Sequence, residues 1–313
     1  MKLSNLLKIY DYIFYDGPME TRVEYGWNLP LDKEMSIFRL LETQKGKDAL
    51  RELYRRDIEV AISANVPIIL NAPTFRASKE HCQRLALQDD LAYINLINQK
   101  CIDFVRSISS EYKDFAEKIV ITAPIGPKFA GFTPDKITDL EAEINYHSEQ
   151  INAVVTAGVD LISIAAMPGG VECIGAAIAA SQTNCDYSVG FVLNKEGALL
   201  DGMSINQLID EIENATNRKP IGYIIGCTHP SVAKVVLSEN PKLAGYIIGI
   251  KANGSSKPPE ALLKLTSPEA DSPCDFADDI YQLQNYAKLK IIGGCCGTDA
   301  QHLKALIDRF VSS

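Results

Sequence analysis

Polar and apolar positions along this chain fall into two alternating kinds of block. Short, nearly continuous apolar runs occupy residues 13–15, 66–71, 118–122, 160–164, 187–193, 221–225, 246–250 and 290–292. Such runs, rich in Ile and Val and bounded by Gly, Pro, Asn or Asp, predict strands buried on both faces, as in a parallel sheet covered by helices. Helical spacing fills much of the chain between them. The clearest helix puts Ile137, Leu140, Ile144, His147, Ile151, Val154 and Val155 on one face, with Thr133 or Asp135 available as its cap. Further helical patterning covers 78–110 and 205–214. The last helix presents Leu303, Leu306, Ile307 and Phe310, with Thr298 and Gln301 reading as a capping box.

Strand and helix alternate throughout, so the expected class is α/β. Eight strand units favour a closed (β/α)8 TIM barrel over an open doubly wound sheet. No G-x-G-x-x-G fingerprint follows the first strand. The expected organisation is one domain over 1–313 with a long excursion at about 251–289, which opens on Asn253-Gly254-Ser255-Ser256-Lys257-Pro258-Pro259. A connection of that length is either functional or mobile, or else a plain surface excursion.

Composition narrows the classes. Of 313 residues, 46% are hydrophobic and 23% charged, enough for a substantial core. A net charge of −9 and a pI near 5.1 argue against a nucleic-acid surface. No apolar run reaches the ~18 residues of a membrane span. The apolar part of the opening residues 1–8 is too short for a secretory signal. Eight cysteines (82, 101, 173, 185, 227, 274, 295 and 296) lack the spacing of a disulfide framework, so a reducing cytoplasm is expected.

The chemistry concentrates in Gly293-Gly294-Cys295-Cys296-Gly297-Thr298, between the eighth strand and the last helix. Adjacent thiols at a helix N-terminus are expected to ionise below the usual ~8.5. Two thiolates side by side repel and require a cation, most simply zinc. By themselves the pair could equally be buried hydrophobes or a strained disulfide. Cys227 changes the balance, because Gly226-Cys227-Thr228-His229-Pro230 follows the sixth strand. In a barrel the carboxyl ends of all strands meet at one mouth, which brings the three thiols together. Three protein ligands leave a fourth position for substrate, which suits holding and deprotonating an incoming thiol. His229 is an alternative fourth ligand or a cap for the helix that Pro230 starts. His147 reads as a packed histidine on an apolar helix face, and the other five cysteines read as structural.

These residues resemble the homocysteine S-methyltransferase family over nearly the whole chain. The resemblance rests on Asp16-Gly17 with Met19 and Thr21, Thr74-Phe75-Arg76-Ala77-Ser78, Tyr146-His147-Ser148-Glu149-Gln150, Ala157-Gly158-Val159-Asp160-Leu161, Gly226-Cys227 and the Gly293–Thr298 motif. It implies a zinc-dependent barrel that moves a methyl group from a small donor to the sulfur of homocysteine or a related thiol. Cys227, Cys295 and Cys296 match the family's zinc ligands, and Asp16 matches its aspartate for the homocysteine amino group. A chain of 313 residues lacks room for an added corrinoid or folate domain, so a small sulfonium or ammonium donor is expected. The departures concern the acceptor. Ala165 stands where the family carries a glutamate, Pro73 where it carries an asparagine, and Gly226 where an asparagine precedes the first zinc cysteine. Glu20, at a position usually glycine, offers a replacement negative charge for an aminated thiol, or is a solvated turn residue. The alternative function is a homologue that keeps zinc and binds a thiol or metabolite without transferring methyl groups.

Overall fold

The computed structural model describes residues 3–129, 133–134, 139–257, 259–262, 265 and 267–311. Eight strands, β1 (Ile13–Tyr15), β2 (Ile68–Asn71), β3 (Ile119–Ile125), β4 (Leu161–Met167), β5 (Tyr187–Phe191), β6 (Tyr223–Gly226), β7 (Ile247–Ala252) and β8 (Ile291–Gly294), close in sequence order. Every neighbouring pair is parallel, including β1 with β8, so the expected (β/α)8 TIM barrel is the fold.

Strand side chains alternate between the barrel interior and the helical layer. Ile13, Tyr15, Ile69, Val120, Leu161, Ile224 and Ile291 pack with one another inside. Their neighbours Phe14, Ile68, Leu70, Ile121, Ile162 and Ile292 pack outward against the helices. Both sets are buried, which is why the strands read as unbroken apolar runs. The interior cluster includes Leu3 and Leu6 from a first helix, Leu3–Ile9, and Lys290 Nζ donates to the Leu7 carbonyl at 2.8 Å. The opening segment is therefore a plug for the barrel floor.

Several boundaries differ from those expected. The helix expected from about residue 133 is Leu140–Thr156, capped by Asp139, whose Oδ1 accepts from the N–H groups of Glu141 and Ala142. Ile137 and Asp135 lie outside the described residues, and Pro258 of the excursion does too. The patterning at 78–110 is two helices, Lys79–Arg84 and Leu91–Ser109, the second capped by Asp90. The last helix, Ala300–Val311, does not use the Thr298–Gln301 box. Asp299 Oδ1 accepts from the N–H groups of Gln301 and His302 at 2.9 and 3.2 Å, while the Thr298 hydroxyl donates to the Cys295 carbonyl at 2.8 Å. A carboxylate one residue closer is the stronger acceptor for those N–H groups.

The excursion after β7 is not a plain surface loop. It carries helices Pro259–Leu262 and Pro273–Gln282 and bends back over the cysteine turn. The Gly254 N–H donates to the Cys296 carbonyl at 2.9 Å, and the Asp271 N–H donates to the Gly254 carbonyl at 2.8 Å.

Candidate thiolate centre

β7 lies between the two strands that deliver the cysteines, and its backbone holds both turns. Lys251 pairs with Gly226 on one side and Gly293 on the other. Its carbonyl accepts the Cys227 N–H at 3.0 Å, and the next carbonyl, of Ala252, accepts the Cys295 N–H at 2.6 Å. Asn253 Nδ2 donates to the Cys227 carbonyl at 2.9 Å. Cys227 is left-handed, with φ of 45°. That conformation costs a non-glycine residue about 1–3 kcal/mol and persists only because the surroundings over-determine it. At Gly297 (φ 87°) an added Cβ would collide with the Glu269 carbonyl, so glycine is what lets the excursion close on the cysteine turn.

The expected convergence of the three cysteines is present. The Sγ atoms of Cys227 and Cys295 lie 2.9 Å apart, far beyond the ~2.05 Å of a disulfide, and all eight cysteines are free. Hydrogen bonds from the Cys227 and Cys296 thiols, and the nearby Lys251 charge, hold Cys295 well below the ordinary thiol range. Cys227 is pushed well up by its hydrogen bonds to Cys295 and Cys296 and by burial. Cys296 is pushed up as well: Cys227 pulls it down, but Cys295 and burial outweigh that. Holding all three as thiolates requires a cation, and three soft, partly buried donors fit a soft divalent ion. The helix dipole invoked above is remote from this balance, because the helix begins at Ala300 with the Asp299 carboxylate already on its N–H groups.

The thiols open into a cavity of about 470 Å³ at the barrel mouth. Glu20 lines it, and so do Pro73, Ala165 and Gly226, the three positions that depart from the family pattern. Leu262, Leu265 and Glu269 of the excursion form part of its wall. Tyr15, Tyr25 and Phe75 line it too, whereas Trp27 lines a neighbouring pocket. Ala166, beside Ala165 at the irregularity in β4, has φ of 55°.

Asp16 is fully buried. Its carboxylate accepts from the Asn71 N–H at 2.8 Å and from Asn71 Nδ2, and its Oδ1 is 3.6 Å from Lys251 Nζ. Burial pushes it up to about 7, against the pull of Lys251, with Asp57 adding to the rise. Glu20 is likewise raised, chiefly by burial. Burial alone would lower the Lys251 ammonium, but Asp16 foremost, with Cys295, Tyr15 and Glu20, raises it above its ordinary value. Nζ also sits 4.9 Å from the Tyr15 ring centroid. Sequence reasoning missed Lys251 by ending the strand at residue 250. The available signal was a lysine between an apolar run and Ala252-Asn253-Gly254, where a buried strand continues.

His229 is a helix cap. Its Nδ1 accepts from the Ser231 N–H at 3.2 Å, and its Nε2 is 2.8 Å from Asp271 Oδ2, so both ring nitrogens are engaged away from the thiols. His147 is buried as expected, in a cluster with Glu143 and Glu172 whose ligand atoms lie within 4.8 Å of one another. That group could hold a harder ion. Lys128 already contributes its N–H to Glu172 at 2.5 Å and its ammonium to Glu143 at 3.5 Å. No helix among the described residues is long and apolar enough to cross a membrane.

The fold is shared with homocysteine methyltransferase MmuM from Escherichia coli. Its metallated form superposes with a TM-score of 0.78 at 20% identity, covering 98% of this chain and 99% of that one. Its oxidized form gives 0.79 at 18% identity with the same coverage, and its apo form 0.72 at 19%. No curated protein sequence matches the chain. The model of the family described as "Homocysteine S-methyltransferase" matches residues 13–310. With that match spanning the barrel from β1 to the last helix, the chain belongs to the homocysteine S-methyltransferase family and is a methyltransferase.

Proposed function

We propose that the chain transfers a methyl group from a small onium donor to a thiol held at a zinc ion, with Cys227, Cys295 and Cys296 as the protein ligands. The observation that carries this reading is the meeting of the three thiols at the mouth of the barrel, beside a cavity large enough for both substrates. Held by Cys227, Cys295 and Cys296, zinc would supply a Lewis acid that lowers the pKa of an incoming thiol and keeps its sulfur nucleophilic near neutral pH. A tris-thiolate donor set is electron-rich, which favours thiol activation over hydrolysis.

The chain's own residues do the rest. Backbone hydrogen bonds from β7 fix the two cysteine turns, so the donor sulfurs are positioned before any ligand arrives. The rings of Phe75 and Tyr25 in the cavity lining suit a methylated cation. In the transfer, a lone pair of the acceptor sulfur forms the new carbon–sulfur bond. The bond from methyl to the onium atom breaks, and its electrons leave with the neutral donor. Asp16, Glu20 and Lys251 together set the charge at the acceptor end, where Ala165, Pro73 and Gly226 reshape the pocket. Eight free thiols suit the reducing cytoplasm, where we place the protein.

The test is methyl transfer by zinc-loaded protein, using sulfonium and quaternary ammonium donors against a panel of thiols. A methyl thioether should form, and Cys295→Ala, folded by circular dichroism, should lose at least ~100-fold in rate together with its zinc. Unchanged turnover in that variant would overturn the proposal.

A further inference from the structure

We infer that Lys251 determines the acceptor: it selects a thiol that carries a carboxylate and lacks an ammonium group. The inference rests on the methyltransferase reading above and names its substrate class.

The reasoning begins with where the positive charge is. Lys251 lines the cavity from the strand between the two cysteine turns, and about a fifth of its side chain is exposed. One side of its ammonium is 3.6 Å from Asp16 and another lies over the Tyr15 ring. Asp16 itself is fully buried, with Asn71 on its oxygens, so the cation of this chain occupies the approach that a substrate ammonium would need. No replacement acid comes from the end of β4, which presents Ala165 and Ala166; of the other acids lining the cavity, Glu269 is paired with Lys257 at 2.5 Å and Glu24 lies on the helix that follows β1. Glu20 is within electrostatic range of both Lys251 and Arg76, a second cation lining the cavity, so it too has positive charge of this chain beside it. An acceptor ammonium entering here would meet a like charge at low dielectric, whereas a carboxylate would find a donor. Lys251 belongs to the strand whose carbonyls hold the Cys227 and Cys295 turns, so a carboxylate paired with it would put acid and sulfur at one end of the cavity.

Three matched thiols separate the possibilities. 4-Mercaptobutanoate is homocysteine without its amino group, and 3-mercaptopropylamine is homocysteine without its carboxylate. Binding to the zinc-loaded protein is followed by titration calorimetry, with no methyl donor present. The expected order is 4-mercaptobutanoate tightest, homocysteine at least ten-fold weaker, and 3-mercaptopropylamine weakest. Lys251→Gln should reduce 4-mercaptobutanoate binding at least ten-fold and narrow or reverse its advantage over homocysteine, while Lys251→Arg should preserve the order. Should Lys251→Gln fail to fold, the wild-type order decides alone. Homocysteine binding as tightly as 4-mercaptobutanoate would overturn the inference and leave the methyltransferase proposal standing. Failure of all three thiols to bind would overturn both.

Discussion

Asp57 shows how strongly single residues brace the site. It is fully buried, takes two hydrogen bonds from Arg22 at 2.6 and 3.0 Å, and accepts the Gly17 N–H at 3.3 Å. Gly17 follows Asp16, so this ion pair fixes the turn that aims Asp16 at Lys251. Breaking a buried pair leaves an uncompensated charge and costs about 3–5 kcal/mol. Asp57→Asn should therefore lower stability by roughly 3 kcal/mol in a urea titration, whereas replacing both partners with apolar residues should recover most of that loss. A loss below about 1 kcal/mol would show that the pair is not the brace described here.

The last helix makes a prediction at the scale of an element. His302 Nδ1 is 2.7 Å from Asp299 Oδ1, and its Nε2 is 3.1 Å from the Asp271 carbonyl, so an imidazolium can donate to both oxygens. Despite burial, these contacts raise His302 above its ordinary 6.5, and they lower Asp299 from 3.8 to about 2. The histidine contribution is complete below 6.5 and is lost as pH rises through its raised folded value. The aspartate contribution is present above 3.8 and fades as pH falls toward 2. The stability gap between wild type and His302→Gln should thus be widest between about pH 4 and 6.5 and shrink on the alkaline side. A gap that stays unchanged as pH rises from 6.5 through the raised histidine value would refute the pairing.

Elements also show what could be read from sequence. Strands were legible because the interior and exterior of a parallel barrel are both apolar, so Ile13-Phe14-Tyr15 or Ile68-Ile69-Leu70 announces itself by composition. The cysteine convergence was legible because Cys227 and the Cys295-Cys296 pair each come just after such a strand. Caps were less so: Thr298, Asp299 and Asp139 all have capping chemistry, and only the backbone path decides which one reaches the free N–H groups. Lys251 was hidden for a similar reason. A charge at a strand end reads as the start of a loop until Asp16, 235 positions away in sequence, is seen beside it. The plug formed by Leu3 and Leu6 likewise depends on contacts that exist only once the barrel has closed.

At the scale of the whole molecule, the barrel brings β6, β7 and β8 side by side, and that adjacency turns three scattered cysteines into one donor set. The excursion between β7 and β8 seals the same turn from above through Gly254 and Glu269. The most direct test of the account is zinc-edge X-ray absorption on protein purified under reducing conditions, before and after adding a thiol acceptor. The account predicts about one zinc per chain, with three sulfur neighbours at ~2.3 Å becoming four when 4-mercaptobutanoate is added. A nitrogen and oxygen shell, as Glu143, His147 and Glu172 would supply, or no zinc bound by fully reduced protein, would contradict it.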